Sequence, residues 1–183
     1  MMLTIITPTL NAAGTIRALL DSVSGHRHII IDGGSTDATR DIVAEYPAVE
    51  WIDAPGSSIY EAQNIGIGMV GAGWFYFIGA DDTLYSPTCL GDAIAQAGDA
   101  LVLQGKIKTV TWPLHLPNKQ QQAFLYHKSV FDRFGQYDQS HPIYADVHFN
   151  RMLRKNGIAP KWVDVILADV APGGVSMRGN HHG

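Results

Sequence analysis

Between Leu3 and Gly105 the chain alternates short apolar runs with segments of helical spacing, and this alternation narrows the fold more than any single motif. "LTIITPT", "HIIID", "VEWIDA", "FYFI" and "DALVLQG" have the length and the β-branched or aromatic content of buried strands. Pro8 is expected to stop the first of them. Between the runs, "AGTIRALLDSV" puts Ile16, Leu19, Leu20 and Val23 on one helical face, and "STDATRDIVAEY" reads as a helix capped by Ser35 or Thr36. "IYEAQNIGIGMVGA" reads as a helix weakened by glycines, and "SPTCLGDAIAQAG" as one capped by Ser86 with Pro87 in its first turn. Strands and helices in such alternation form a parallel sheet covered on both faces.

After residue 105 the pattern loosens. "KIKTVTWPLHLPNKQQQ" reads as a strand followed by an irregular loop, "HKSVFDRFGQY" as a short helix ended by Gly135, and "KWVDVILADV" as a late strand. "YADVHFNRMLRKNG" is an amphipathic helix running from Asp146 to a stop at Gly157. Residues 1–183 are thus expected to form one domain, with a nucleotide-binding half at 1–105 and a second layer at 106–183 that completes a cleft.

Bulk properties exclude several classes. A chain of 183 residues, 46% hydrophobic, can bury one good core. A net charge of -4 and a pI near 6.0 disfavour a nucleic-acid binder, which needs a basic face. The single cysteine, Cys89, excludes an internal disulfide framework and suits a reducing compartment. "MMLTIITPTLN" has no basic leader followed by an apolar core, and "MVGAGWFYFIGA" falls short of the roughly 20 residues that span a bilayer. The expectation is a soluble cytoplasmic protein, compatible with peripheral docking at the inner face of the membrane.

In open α/β sheets ligands bind at the carboxyl ends of the strands. Those ends carry Thr7, Thr9 and Asn11, then Asp32, then Asp81 and Asp82. The plain reading of Asp81 and Asp82 is a solvated turn or a helix cap, but Ser86 and Pro87 already supply a helix start. Two adjacent carboxylates after a buried strand suit Mg²⁺ or Mn²⁺, which combine one or two carboxylates with substrate phosphates. In "DGGSTDAT" a tight turn and a cap explain the glycines and hydroxyls, but not why the strand ends on Asp32. Neither a phosphate loop with lysine nor a GxGxxG fingerprint is present, which disfavours kinases and dehydrogenases. Asp146 is either a carboxylate favoured by the helix dipole or, if it faces the cleft, a general base. The eight histidines have no Cys partners at ligand spacing, which disfavours structural zinc. The four tryptophans read as core, with Trp112 in a stretch where it could stack on a sugar.

Assembled in order, these segments resemble glycosyltransferase family two, the inverting family with the GT-A fold. The likeness runs through "TPTLN", "IDGGSTDAT", "IYEAQNIGI", "FYFIGADDTLY" at the place of the DXD-type motif, "QQQAFLYHKSVFDRFGQYDQS", "YADVHFNRML" and "GGVS" (173–176). It implies a single α/β domain with a Rossmann-like, mixed, mainly parallel sheet flanked by helices, residues 106–183 forming the acceptor side. Thr7, Pro8 and Asn11 would lie beside the nucleotide base and ribose with Asp32 below them. Asp81 would approach the ribose and the metal, Asp82 would hold Mn²⁺ or Mg²⁺ against the diphosphate, and Asp146 would deprotonate the acceptor. The implied donor is a nucleotide-diphosphate sugar, with a UDP-sugar favoured. The implied acceptor is a saccharide or lipid-linked hydroxyl, in polysaccharide or glycolipid synthesis.

The departures from the family pattern are specific. Gly56-Ser57-Ser58 replaces an Asp-Lys-Gly common in relatives, Gly33 replaces a second acid, Gln121 stands where histidine is common, and His148 stands where another acid often follows the base. A member that binds nucleotide or sugar without turnover is therefore the rival reading. A nucleotidyltransferase is weaker, because no basic glycine-rich loop follows the first strand.

Overall fold

The computed structural model describes residues 2–109 and 120–172. Among these residues eight strands, β1 (Leu3–Thr9), β2 (Arg27–Asp32), β3 (Val49–Asp53), β4 (Trp74–Phe77), β5 (Thr83–Leu84), β6 (Val102–Thr109), β7 (Phe124–His127) and β8 (Lys161–Val170), form one sheet. Its order is β3-β2-β1-β4-β7-β6-β8-β5. The four strands β3, β2, β1 and β4 are parallel, β7 is antiparallel to β4 and β6, β8 runs parallel to β6, and β5 is antiparallel to β8. This is the mixed, mainly parallel sheet that the family resemblance implies; alternation by itself showed only its parallel part. The short β7 and β5 carry too few residues for a period to show.

Among the described residues six helices flank the sheet: α1 (Ile16–Ser22), α2 (Thr39–Ala44), α3 (Ile59–Met69), α4 (Cys89–Ala95), α5 (Lys128–Phe134) and α6 (Ala145–Lys155). Successive strand residues point to opposite faces, so each buried strand feeds two cores. Ile5, Ile30, Trp74, Tyr76, Leu103 and Leu125 pack with α1 and α4, whereas Ile6, Ile29, Phe75, Phe77, Val102 and Tyr126 pack with α3, α5 and α6.

Three local expectations are corrected. Pro8 does not end β1, which continues to Thr9 and pairs Pro8 with Ile31 of β2. The missing N–H is tolerated because β4 ends at Phe77, opposite Ile6; beyond that point β1 has no ladder partner on its β4 side. Helix α2 starts at Thr39 and has no side-chain cap, so Ser35 and Thr36 lie outside it. Helix α4 starts at Cys89 after Thr88, leaving Ser86 and Pro87 in the preceding turn. Trp112, the "GGVS" segment and the 181–182 histidines lie outside the described residues.

His28 illustrates how completely β2 is enclosed. It is 1% exposed, its Nε2 meets the Thr7 hydroxyl at 2.9 Å, and burial pushes its imidazole down to about 4. An unfolded histidine accepts a proton near 6.5, so the native state binds fewer protons between those values and stability falls as pH drops through that window. At 1.36 kcal/mol per unit the loss is about 3 kcal/mol. Urea denaturation of His28→Gln, which keeps a partner for Thr7, should show a flatter stability profile between pH 6.5 and 4 than wild type. Parallel profiles for the two proteins would contradict this.

Candidate active site

The loops after β1, β2 and β3 are stitched together at one end of the sheet. Gly33 N–H donates to Thr9 O at 2.8 Å, Ala54 N–H to Asp32 O at 2.8 Å, and Gly56 N–H to Gly33 O at 2.9 Å. Asp32 is 3% exposed and organises its own turn: Oδ2 accepts from Gly34 N at 3.0 Å and Ser35 N at 2.8 Å, while Oδ1 accepts from the Ser35 hydroxyl. This explains why the strand ends on an acid, since Gly34 turns through φ 102 and the carboxylate satisfies the amides exposed there. Asn11, itself left-handed at φ 50, clasps the same turn, accepting from Thr36 N at 2.8 Å and donating its N–H to Ser35 Oγ at 2.8 Å. Thr7 is fully buried with its hydroxyl on His28, Pro8 is half-buried beside it, and Asn11 is exposed. Ser57, in the Gly56-Ser57-Ser58 stretch, has its hydroxyl oxygen buried with no hydrogen-bond partner among the described residues.

Asp81 and Asp82 follow β4 and differ sharply. Asp81 is exposed and Asp82 is 3% exposed. Asp82 Oδ2 accepts from Gly79 N at 3.2 Å and from Gln122 Nε2 at 2.9 Å, and Oδ1 accepts from Ala171 N at 2.9 Å. Burial nevertheless holds its carboxyl above the ordinary aspartate range, with these donors offsetting part of the rise. A carboxylate offers about four lone-pair sites, so three donors leave room for one more contact. Gly79 supplies that room: a Cβ there would lie 2.8 Å from both Asp81 Oδ1 and Asp82 Oδ2. The two carboxylates thus converge on the space over a residue without a side chain.

Asp146 sits in the first turn of α6 and is 8% exposed. It does not cap its helix. Tyr144 occupies the cap at φ 70 with no side-chain cap bond, and Asp146 Oδ1 accepts instead from the Tyr60 hydroxyl at 2.7 Å. Burial first, and then this hydrogen bond, hold the Tyr60 phenol well above its ordinary range, so it remains a donor. One turn along α3, Gln63 forms a reciprocal amide pair with Gln121, at 2.6 and 2.9 Å. Gln121 belongs to a 3₁₀ turn (Gln121–Ala123) whose Gln122 holds Asp82. Helix α6 is seated by aromatics, with Phe149 stacked on Phe131 at 4.3 Å and edge-on to Tyr137 at 5.4 Å. Asp82 and Asp146 are thereby joined through one helix and one turn.

The sequence singled out Asp82 and Asp146 as candidates, and Gln121 only as a departure from the family pattern, and gave no supporting role to Tyr60, Gln63, Gln121 or Gln122. A signal was present: Tyr60, Gln63, Asn64 and Ile67 share the face of α3 that should be apolar, and buried polar residues on such a face need partners. Among the described residues no group of three or more His, Cys, Asp and Glu could hold a metal, and no helix is long and apolar enough to cross a membrane.

Comparisons with known proteins identify the framework that these elements build. The glycosyl transferase family 2 model matches residues 4–159, and the chain belongs to that family. It is 30% identical over 200 residues to the PGL/p-HBAD biosynthesis glycosyltransferases of Mycobacterium bovis and Mycobacterium tuberculosis, covering 91% of this chain and 75% of those. Among solved structures, S. aureus TarS 1-349 in complex with UDP superposes with a TM-score of 0.80 at 18% identity, over 97% of this chain and 62% of that one. A mannosyltransferase from Pyrobaculum calidifontis, in complex with GDP-Man and Mn²⁺, gives 0.76 at 16%, over 94% and 57%. The chain therefore spans less than two thirds of either solved structure.

The Asp82 network makes a stability prediction. Gln122→Leu removes a donor from a buried carboxylate and should cost about 1–3 kcal/mol in urea denaturation at pH 8. The cost should shrink as pH falls, because the elevated Asp82 carboxyl protonates first in the variant and then no longer needs the donor. A pH-independent cost would contradict the assignment.

Proposed function

We propose that the chain is an inverting glycosyltransferase that moves a sugar from a nucleotide-diphosphate donor, with a UDP-sugar favoured, to a saccharide or lipid-linked hydroxyl in glycan synthesis. The observation that carries this reading is the joined pair of buried carboxylates, Asp82 after β4 and Asp146 at the start of α6, bridged by α3 and the 3₁₀ turn. The UDP and GDP-Man complexes of the fold relatives support a nucleotide-sugar donor, and the mycobacterial relatives support a role in glycan assembly.

In this reading residues 1–105 form the donor half and 106–183 the acceptor half. The base and ribose lie over the stitched loops, with Pro8 and Asn11 at the edge, Asp32 holding the turn beneath them, and Thr7 anchoring β1 from inside. Asp81 and Asp82, converging over Gly79, fit Mn²⁺ or Mg²⁺, because these ions accept two carboxylates and complete their shells with phosphate oxygens and water. Such an ion would stabilise the charge that builds on the departing diphosphate. Gly56-Ser57-Ser58 supplies no positive charge there, so such an ion, held by Asp81 and Asp82, would carry the larger share of that compensation.

On the other side Asp146 takes the acceptor proton as the acceptor oxygen forms its bond to the anomeric carbon. The bond from that carbon to the diphosphate oxygen breaks, its electron pair leaving with the nucleoside diphosphate. A single displacement inverts the anomeric centre and needs no enzyme nucleophile.

Asp146→Asn should lower transfer by at least about 10³-fold while donor affinity changes by less than about threefold, since the acid acts on the acceptor and only in the transition state. Radiolabelled sugar transfer and nucleotide titration on the two proteins check this, and equal transfer would remove Asp146 as the base. Proton NMR of the wild-type product should show inverted configuration.

A further inference from the structure

We infer that Tyr60 is a positioning residue for the proposed base: its hydroxyl fixes Asp146 Oδ1 so that Oδ2 is presented to the acceptor. The inference rests on the reading of Asp146 as base and goes one residue further back.

A carboxylate in the first turn of a helix ordinarily binds that helix's free amides or stands in water. Asp146 does neither: the α6 cap uses no side chain, and the carboxyl is almost wholly buried. Its own helix therefore does not set its rotamer. Tyr60 does, through the 2.7 Å bond to Oδ1, which leaves Oδ2 as the oxygen that this bond does not engage. Tyr60 is itself held firmly. It is 8% exposed, sits edge-on to Tyr137 with ring centroids 5.5 Å apart, and lies one turn from Gln63 in the pair with Gln121. A tyrosine so enclosed and kept protonated is a fixed donor with a single target.

The geometry gives this bond a definite consequence. Without the donor the carboxylate is free to turn away from the acceptor, so fewer bound complexes reach the arrangement in which the proton can pass. That loss falls on turnover and spares donor binding. A bond that only glued α3 to α6 would change thermal stability and leave the turnover of the folded protein unchanged.

The test uses the full chain with Mn²⁺ and water as acceptor, reading nucleoside diphosphate released from UDP-glucose, UDP-N-acetylglucosamine or GDP-mannose, whichever wild type turns over fastest. Tyr60→Phe keeps the ring and its edge contact. It should lower kcat by about 10- to 100-fold, the span expected for losing a hydrogen bond to a charged group. The donor KM should stay within about twofold, so that the loss falls on kcat alone. A Tyr60→Phe protein with wild-type kcat, or one whose donor KM rises as steeply as its kcat falls, overturns the inference, whatever its melting temperature. Asp146→Asn run in parallel separates the two readings. If it is inactive while Tyr60→Phe is normal, only the positioning role falls. If it keeps wild-type turnover, or wild type releases no nucleoside diphosphate, the base falls and the positioning role with it.

Discussion

The buried carboxylate of Asp82 sets the terms for the rest of the site. A charge withdrawn from water costs several kcal/mol unless donors replace the hydration it loses. Here the donors come from three separate places: the Gly79 amide in its own turn, the Gln122 amide beside β7, and the Ala171 N–H just past β8. One group therefore fixes how the end of β4, the 3₁₀ turn and the end of β8 meet. Those three segments lie far apart in the sequence, so one satisfied carboxylate ties them together at this end of the sheet.

From that point the order extends through α3. Gln63 reads the position of the 3₁₀ turn and Tyr60 passes it to Asp146, while Asn64 pairs both ways with the Tyr137 backbone, at 2.9 and 3.0 Å. The aromatic layer of Phe75, Tyr126, Phe131, Tyr137 and Phe149 supplies the apolar burial that keeps α6 against this polar seam. Packing holds α6 in place and hydrogen bonds aim its acid. In the proposed reaction these are the two requirements of a base that must meet an oxygen within hydrogen-bond distance.

The parts legible in the sequence were those written locally. Strands β1 to β4 and helices α1, α3 and α6 follow from apolar runs and helical spacing, and Asp32, Asp81 and Asp82 from their place at strand ends. What stayed hidden depends on partners far along the chain. Strand β7 is four residues long and is defined by its neighbours β4 and β6. Pro8 fits inside β1 only because β4 ends before it. The role of Asp32 in its own turn could have been read from the glycine and serine that follow, whereas the bond from Tyr60 to Asp146 spans 86 positions and nothing local encodes it. The line of Tyr60, Gln63 and Asn64 on one helical face showed that partners were needed, but not which they were.

The most direct test of the account is calorimetric titration of UDP in the presence of Mn²⁺ into wild type, Asp82→Asn and Gly79→Ala. The account predicts metal-dependent binding to wild type that weakens at least about tenfold in both variants, since one removes a carboxylate charge and the other drives a methyl between the two acids. UDP binding of equal strength in all three proteins, unchanged by removing the metal, would contradict it.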